Sequence, residues 1–212
     1  SASYAVESFQ SLYLKAHYPV EFMVAVINNF GGFYRTWVYV HEAKRSGATI
    51  QLPCVNKSNY KTTVYETDIY LGFIHIMSIE YKLAQSIEEI RGEKGLFSDL
   101  NDFVTKVCPG LEQLILLIKA GALRFTGKKK SVLLWEAHMM INKNKHEDTR
   151  PLFSPPVRDF SLPDLVQGKL EDVYDEIELF GFPVTMSWFD MLETSFRGDT
   201  SARRMSEYTG KK

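Results

Sequence analysis

Apolar spacing of three and four residues, cut at short intervals by proline or glycine, is the pattern that most limits how this chain can fold. It starts at once, in "SASYAVESFQSLYLKAHYPVEFM", where Ala5, Phe9, Leu12 and Ala16 form one apolar face and Tyr4, Ser8, Ser11 and Lys15 a more polar one. A chain that opens inside a helix leads us to expect something in front of it, so both ends read as cut from a longer polypeptide. Pro19 ends this helix and suits the first turn of the next, "PVEFMVAVINNF", which stops at Gly31-Gly32. "FYRTWVYVHEAKRSG" predicts a third helix with Gly47 as its C-cap. Beyond Ile79 the pattern returns in "YKLAQSIEEIRGEKG", in "DLNDFVTKV" with Ser98 as N-cap, in "LEQLILLIKAG" closed by Gly121, in "KSVLLWEAHMMINK" and in "KLEDVYDEIELFG". Between the two helical runs, "ATIQLPCVNKSNYKTTVYETDIYLGF" is rich in Thr, Val, Tyr and Ile and broken by Pro53, Asn56 and Asn59, which predicts short strands and turns. The expected fold is mainly α with a small β element, an α+β chain of several short, closely connected pieces.

Composition narrows the function classes. The 212 residues are 45% hydrophobic, enough for packed cores, and no apolar stretch approaches the roughly 18 residues of a membrane span. The expected chain is soluble and cytoplasmic, with no membrane partner. Cys54 and Cys108 are isolated, without CxxC spacing or a nearby histidine pair, which suits two structural thiols in a reducing compartment. The net charge of -1 hides a basic "GKKKS" at 127–131 and an acidic "LEDVYDEIE" at 170–178. No phosphate loop, nucleophile elbow, HExxH pair or dinucleotide fingerprint occurs. The five histidines are scattered and read as structural. Asp172, Asp175, Glu176 and Glu178 read as a solvated helix face, with a magnesium site as the lesser alternative.

One stretch carries more: "DIYLGFIHIMSIEYKLAQSIEEIRGEKGLFSDLNDFVTKV". Its glycine-bearing apolar strand, hairpin and helix running to an Arg, a Gly-x-Phe and a Leu-x-Asp-Phe resemble the helix-hairpin-helix region of bacterial DNA polymerase III alpha subunits. "SASYAVESFQSLYLKAHYPVEFMVAVINN" is similar to a fingers segment of that family, and "LEQLILLIKAGAL" to its "LExLIKAGAFD" block. "LFGFPVTMSW" matches more weakly, and all four blocks are collinear.

The resemblance implies a C-terminal piece of a DNA-directed DNA polymerase, without the catalytic palm and inactive alone. Magnesium is implied for the intact polymerase and no cofactor for this piece. The implied division is the end of the fingers at 1–47, a small β element with a helix-hairpin-helix-like DNA-binding region at 48–142, a connector at 143–168, a helical segment at 169–199 and the start of an OB-type domain at 200–212. Implied partners are duplex primer-template DNA, a sliding clamp and other replisome subunits. Candidate DNA contacts are Tyr4 and Lys15 on the first helix, Ser78 and Lys82 at the hairpin, and Lys128, Lys129 and Lys130. The family's hairpin carries Gly-apolar-Gly because glycine lets backbone amides approach phosphate. Here Ser78-Ile79-Glu80 stands there and Met77 replaces the usual lysine, so the hairpin can serve packing alone. The connector holds a variant of a QxxLF clamp-binding peptide, Thr149, Arg150, Pro151, Leu152 and Phe153, in which Leu152 and Phe153 supply the apolar anchors and Thr149 replaces glutamine. A linker with an incidental Leu-Phe fits the same residues, and a stand-alone helical adaptor with solvated lysines fits the same composition.

Overall fold

A computed structural model of the chain describes residues 2–144, 168, 170–192, 198, 204 and 207. Eight α-helices and three strands occur among them: α1 (Ala2–His17), α2 (Pro19–Asn28), α3 (Thr36–Arg45), β1 (Thr49–Gln51), β2 (Thr63–Tyr65), β3 (Asp68–Tyr70), α4 (Tyr81–Lys94), α5 (Leu100–Val107), α6 (Leu111–Lys119), α7 (Lys130–Asn144) and α8 (Glu171–Phe180). The fold is mainly α with one small sheet, as the punctuation predicts. Pro19 opens α2, and Gly47, Gly121 and Gly181 follow the ends of α3, α6 and α8 with positive φ. The N-cap of α5 is a correction. Asp99 rather than Ser98 fills it, because extended backbone at Asp99 lets its carboxylate accept the Asp102 amide at 2.8 Å. Ser98 instead donates its own amide to the Asp102 carboxylate at 3.0 Å, which closes the box from the other side.

The sheet has the order β1-β3-β2, with β1 parallel and β2 antiparallel to β3; Ile50 and Val64 both pair with Ile69. Helices α2 and α3 cover this sheet, and Met23, Val24, Ala43, Ala48 and Ile69 form their shared core. The larger core lies among α4, α5, α6 and α7, where Phe73, Ile87, Phe103, Leu114, Leu117 and Leu133 are all buried. A third cluster, Ile27, Val40, Leu71, Phe182 and Val184, joins the two through residues that follow α8. Helix α1 differs from the others in having no buried residue, and Phe9 and Leu12 of its apolar face are exposed.

Three side chains tie distant segments by replacing backbone partners. Asn28 accepts the Thr62 amide at 2.7 Å and donates to the Thr62 carbonyl at 2.9 Å. Asn56 does the same for Phe97, at 2.8 and 2.9 Å. Arg91 donates to the carbonyls of Val55 and Ser58 at 2.8 and 2.7 Å and to the side-chain oxygen of Asn59. Each satisfies groups that neither strand nor helix would reach in this irregular loop. Gly72 lets the same loop cross the chain closely: a Cβ there would lie 2.4 Å from the backbone of Tyr60, Lys61 and Thr62. The amides of Phe73 and Ile74 then bond to the carbonyls of Asn59 and Tyr60, at 3.0 and 2.9 Å.

Candidate nucleic-acid interface

The turn that leads into α4 starts at Ile76, buried in the main core, and runs through Met77, Ser78, Ile79 and Glu80. Its entry is fixed by the Met77 amide, which donates to the Leu179 carbonyl at the end of α8 at 2.8 Å. Ser78 has φ +63, the left-handed region in which glycine costs least. The turn therefore forms without the first glycine of the pattern. Ile79 packs against the main core and its amide returns to the Ile76 carbonyl at 3.3 Å. Glu80 is the N-cap of α4 at φ -77, which any residue adopts, so the second glycine is not required by backbone shape either. Gln113 of α6 closes the turn: its Nε2 donates to the Ser78 carbonyl at 3.1 Å and its Oε1 accepts the Glu80 amide at 2.9 Å.

This geometry sets the opening amides of a 14-residue helix beside an exposed turn, with Met77, Ser78 and Lys82 all exposed. Helix N-termini favour anions because their first amides lack intrahelical acceptors and the helix dipole is positive there. Lys82 adds a cation, and the exposed Glu80 carboxylate opposes it.

The other candidate residues lie elsewhere. Lys128, Lys129 and Lys130 sit at the start of α7. Lys128 pairs with Glu136, and Lys130 pairs with Asp172 at 2.9 Å and Asp175 at 3.2 Å, with 17% of its side chain exposed. Lys129 is exposed. Tyr4 and Lys15 are exposed on α1, where Lys15 lies 3.5 Å from Glu42 of α3. The clamp-peptide residues Thr149, Arg150, Pro151, Leu152 and Phe153 lie outside the described residues.

The acidic run of α8 corrects the expectation of a solvated face. Asp172 and Asp175 hold Lys130, while Lys119 pairs with Glu178 at 3.0 Å and Asp175 at 3.6 Å. Its hydrogen bond to Glu178 raises the Lys119 pKa. Glu176 is buried, 1% exposed, and accepts the amides of Val184 and Thr185 and the Thr185 hydroxyl at 2.7, 2.9 and 2.7 Å. Lys44 of α3 donates to the Val184 carbonyl at 2.7 Å; burial lowers its pKa, and the nearby Glu176 charge opposes that shift. The run, through Glu176, and Lys44 together strap the segment after α8 onto α3. Among the described residues no group of three or more His, Cys, Asp or Glu side chains is placed to hold a metal ion. None of the described helices is long and apolar enough to cross a membrane.

Sequence reasoning gave Gln113 no place and missed what Asn56, Arg91 and Glu176 bond to. Arg91 stood inside the matched block, but its spacing carried no sign that it would pin residues 55–59.

A strand, a turn entering a helix and packed helices behind it lie within residues 47–133, which match the family described as "Helix-hairpin-helix motif". Over 140 residues the chain is 34% identical to an error-prone DNA polymerase of Bdellovibrio bacteriovorus, covering 64% of this chain and 13% of that protein. It is 33% identical over 138 residues to a DNA polymerase III subunit alpha of Bacillus subtilis, covering 63% and 12%. To the DNA polymerase III subunit alpha of Campylobacter jejuni it is 35% identical over 130 residues, covering 58% and 11%. The chain thus spans about an eighth of the length of the curated relatives it matches.

Proposed function

We propose that this chain is the DNA-binding and clamp-tethering part of a polymerase of the same kind as its relatives. The observation that supports the reading is the left-handed Ser78 at the mouth of α4, which keeps the turn in the conformation a glycine would take there, inside the matched residues. In this reading the α4 amides, Ser78 and Lys82 hold the backbone of duplex DNA, and Lys128, Lys129 and Lys130 add cationic contacts. Tyr4 and Lys15 lie toward template and nucleotide. Thr149–Phe153 dock on a sliding clamp, and the division at 47, 142, 168 and 199 separates these tasks. The whole polymerase, with magnesium held by carboxylates outside this chain, carries out template-directed synthesis in the cytoplasm among other replisome subunits, and this part alone is inactive.

Backbone binding is tested by titrating a labelled blunt duplex at a series of salt concentrations. Neutralising phosphates releases counterions, so binding weakens steeply with salt, and Lys82→Glu or Lys129→Glu weakens it further and lowers the salt slope by about one per cation lost. Binding insensitive to salt and to both changes overturns the reading. The pairing of Lys128 with Glu136 and of Lys130 with Asp172 favours a second reading, an adaptor whose lysines serve folding, and that outcome supports it.

A further inference from the structure

The loop between α2 and α3 is held more firmly than a connector needs to be. Phe30 and Gly31 both take left-handed conformations, φ +57 and +70. A Cβ at Gly31 would lie 2.0 Å from the ring of Tyr39, so glycine admits the Tyr39 ring against the backbone. The Tyr39 hydroxyl then accepts the Gly32 amide at 3.1 Å. Tyr34 meets Tyr39 edge-on at 6.3 Å, and Phe30 meets His75 edge-on at 5.6 Å.

This pinned loop displays rings rather than burying them. Phe33 is fully exposed at 103%, and Phe30, Tyr34 and Trp37 are 53%, 64% and 41% exposed. Residues 30–37 contain no aliphatic side chain, and the chain from Ile27 to His41 contains no acidic residue. Arg35 is exposed within the loop, and Lys61 is exposed beside Thr62, which bonds to both Asn28 and His75. His75 in turn lies two residues before Met77, so Phe30 stands next to the segment that leads into the hairpin before α4.

We propose that the loop Phe30–Trp37 is a stacking platform for the bases of single-stranded DNA. Every base offers a flat face, so exposed aromatic rings bind unpaired strands without reading sequence, and nearby cations meet the phosphates. Exposed aromatic rings also suit a protein surface; the exposed Arg35 and Lys61, with no acidic residue from Ile27 to His41, are what point to an anionic strand. The rigid backbone means that little ordering entropy is lost when a base stacks. The proposal rests on the reading of the hairpin as a DNA contact and deepens it: duplex lies on the hairpin and an unpaired stretch continues onto the rings.

The test uses the full chain with Trp135→Phe and Trp188→Phe, both half-exposed positions, so that Trp37 is the only tryptophan. An oligo-dT strand and a blunt duplex are titrated separately. Oligo-dT quenches Trp37, and Phe33→Ala weakens its binding about tenfold while leaving duplex affinity unchanged. Phe33→Tyr restores binding. Because Phe33 touches nothing that folding requires, its removal leaves the thermal midpoint in place. Oligo-dT that leaves Trp37 unquenched, or that binds Phe33→Ala as tightly as the parent, overturns the platform even where Lys82→Glu still weakens the duplex. Quenching by oligo-dT with no duplex binding at all upholds the platform and removes the duplex reading.

Discussion

Gln113 and Ser78 lie 35 residues apart in sequence, yet the Gln113 amide donates to the Ser78 carbonyl at 3.1 Å while its oxygen accepts the Glu80 amide at 2.9 Å. One half-buried side chain from α6 thus closes the turn that opens α4. Gln113→Ala should lower stability by about 1 kcal/mol, since a net hydrogen bond contributes about that much and water replaces part of the loss. Urea unfolding reads the stability, and faster hydrogen exchange at the Glu80 amide reads the local release.

Ser78 itself bears a conformational cost. A left-handed non-glycine residue costs about 1–2 kcal/mol, and glycine gives back about 0.5–1 kcal/mol through the freer unfolded chain. Ser78→Gly should therefore stabilise the chain by about 0.5 kcal/mol. Ser78→Val, β-branched at the same φ, should destabilise it by about 1 kcal/mol. Thermal midpoints that move in the opposite order would exclude the left-handed turn.

Arg91 bonds two carbonyls and the Asn59 side chain from one guanidinium. Arg91→Ala should cost about 3 kcal/mol, because hydrogen bonds from a charged donor are stronger than neutral ones and the carbonyls lose their partner together. Arg91→Lys keeps the charge but not the fork, and should recover less than half of that loss. Denaturant midpoints of the two variants decide it.

Glu176 is the buried anchor of the strap after α8. Glu176→Ala should cost about 3 kcal/mol, since two buried amides and a hydroxyl lose their acceptor and Lys44 loses a nearby opposite charge. Phe182 and Val184 should then leave the third cluster, which limited proteolysis after α8 would detect.

His75 gives a pH dependence of defined sign. Burial depresses its pKa from 6.5 to about 4. The unfolded chain therefore binds the proton first as pH falls, and the folded state loses stability between pH 6.5 and about 4, by about 3 kcal/mol in all. Above pH 6.5 the contribution is constant. His75→Gln should flatten this decline in urea titrations compared at pH 7 and pH 5; an unchanged slope would place the titrating group elsewhere.

Helix ends were legible in the sequence because their signals act within a turn of backbone. Pro19, Gly47, Gly121 and Gly181 stand at or just beyond the ends of helices, and the one misplaced cap, Ser98 for Asp99, is an error of a single residue. The β region was legible as strands and turns from its Thr, Val, Tyr and Ile content. Its order was not: β2 and β3 form a local hairpin, but β1 reaches β3 across the whole loop between them, and such distant pairing leaves no local sign. The same limit explains the site. Ser78 could be seen to replace glycine, but only the packed turn shows that it takes glycine's conformation and that Gln113 holds it there. Glu176 read as a solvated charge and Lys130 as an exposed phosphate contact, because helical period says which residues share a face and nothing of what covers it. Tertiary structure brought Thr185 to one and Asp172 and Asp175 to the other, and a charge withdrawn from water persists only with such partners.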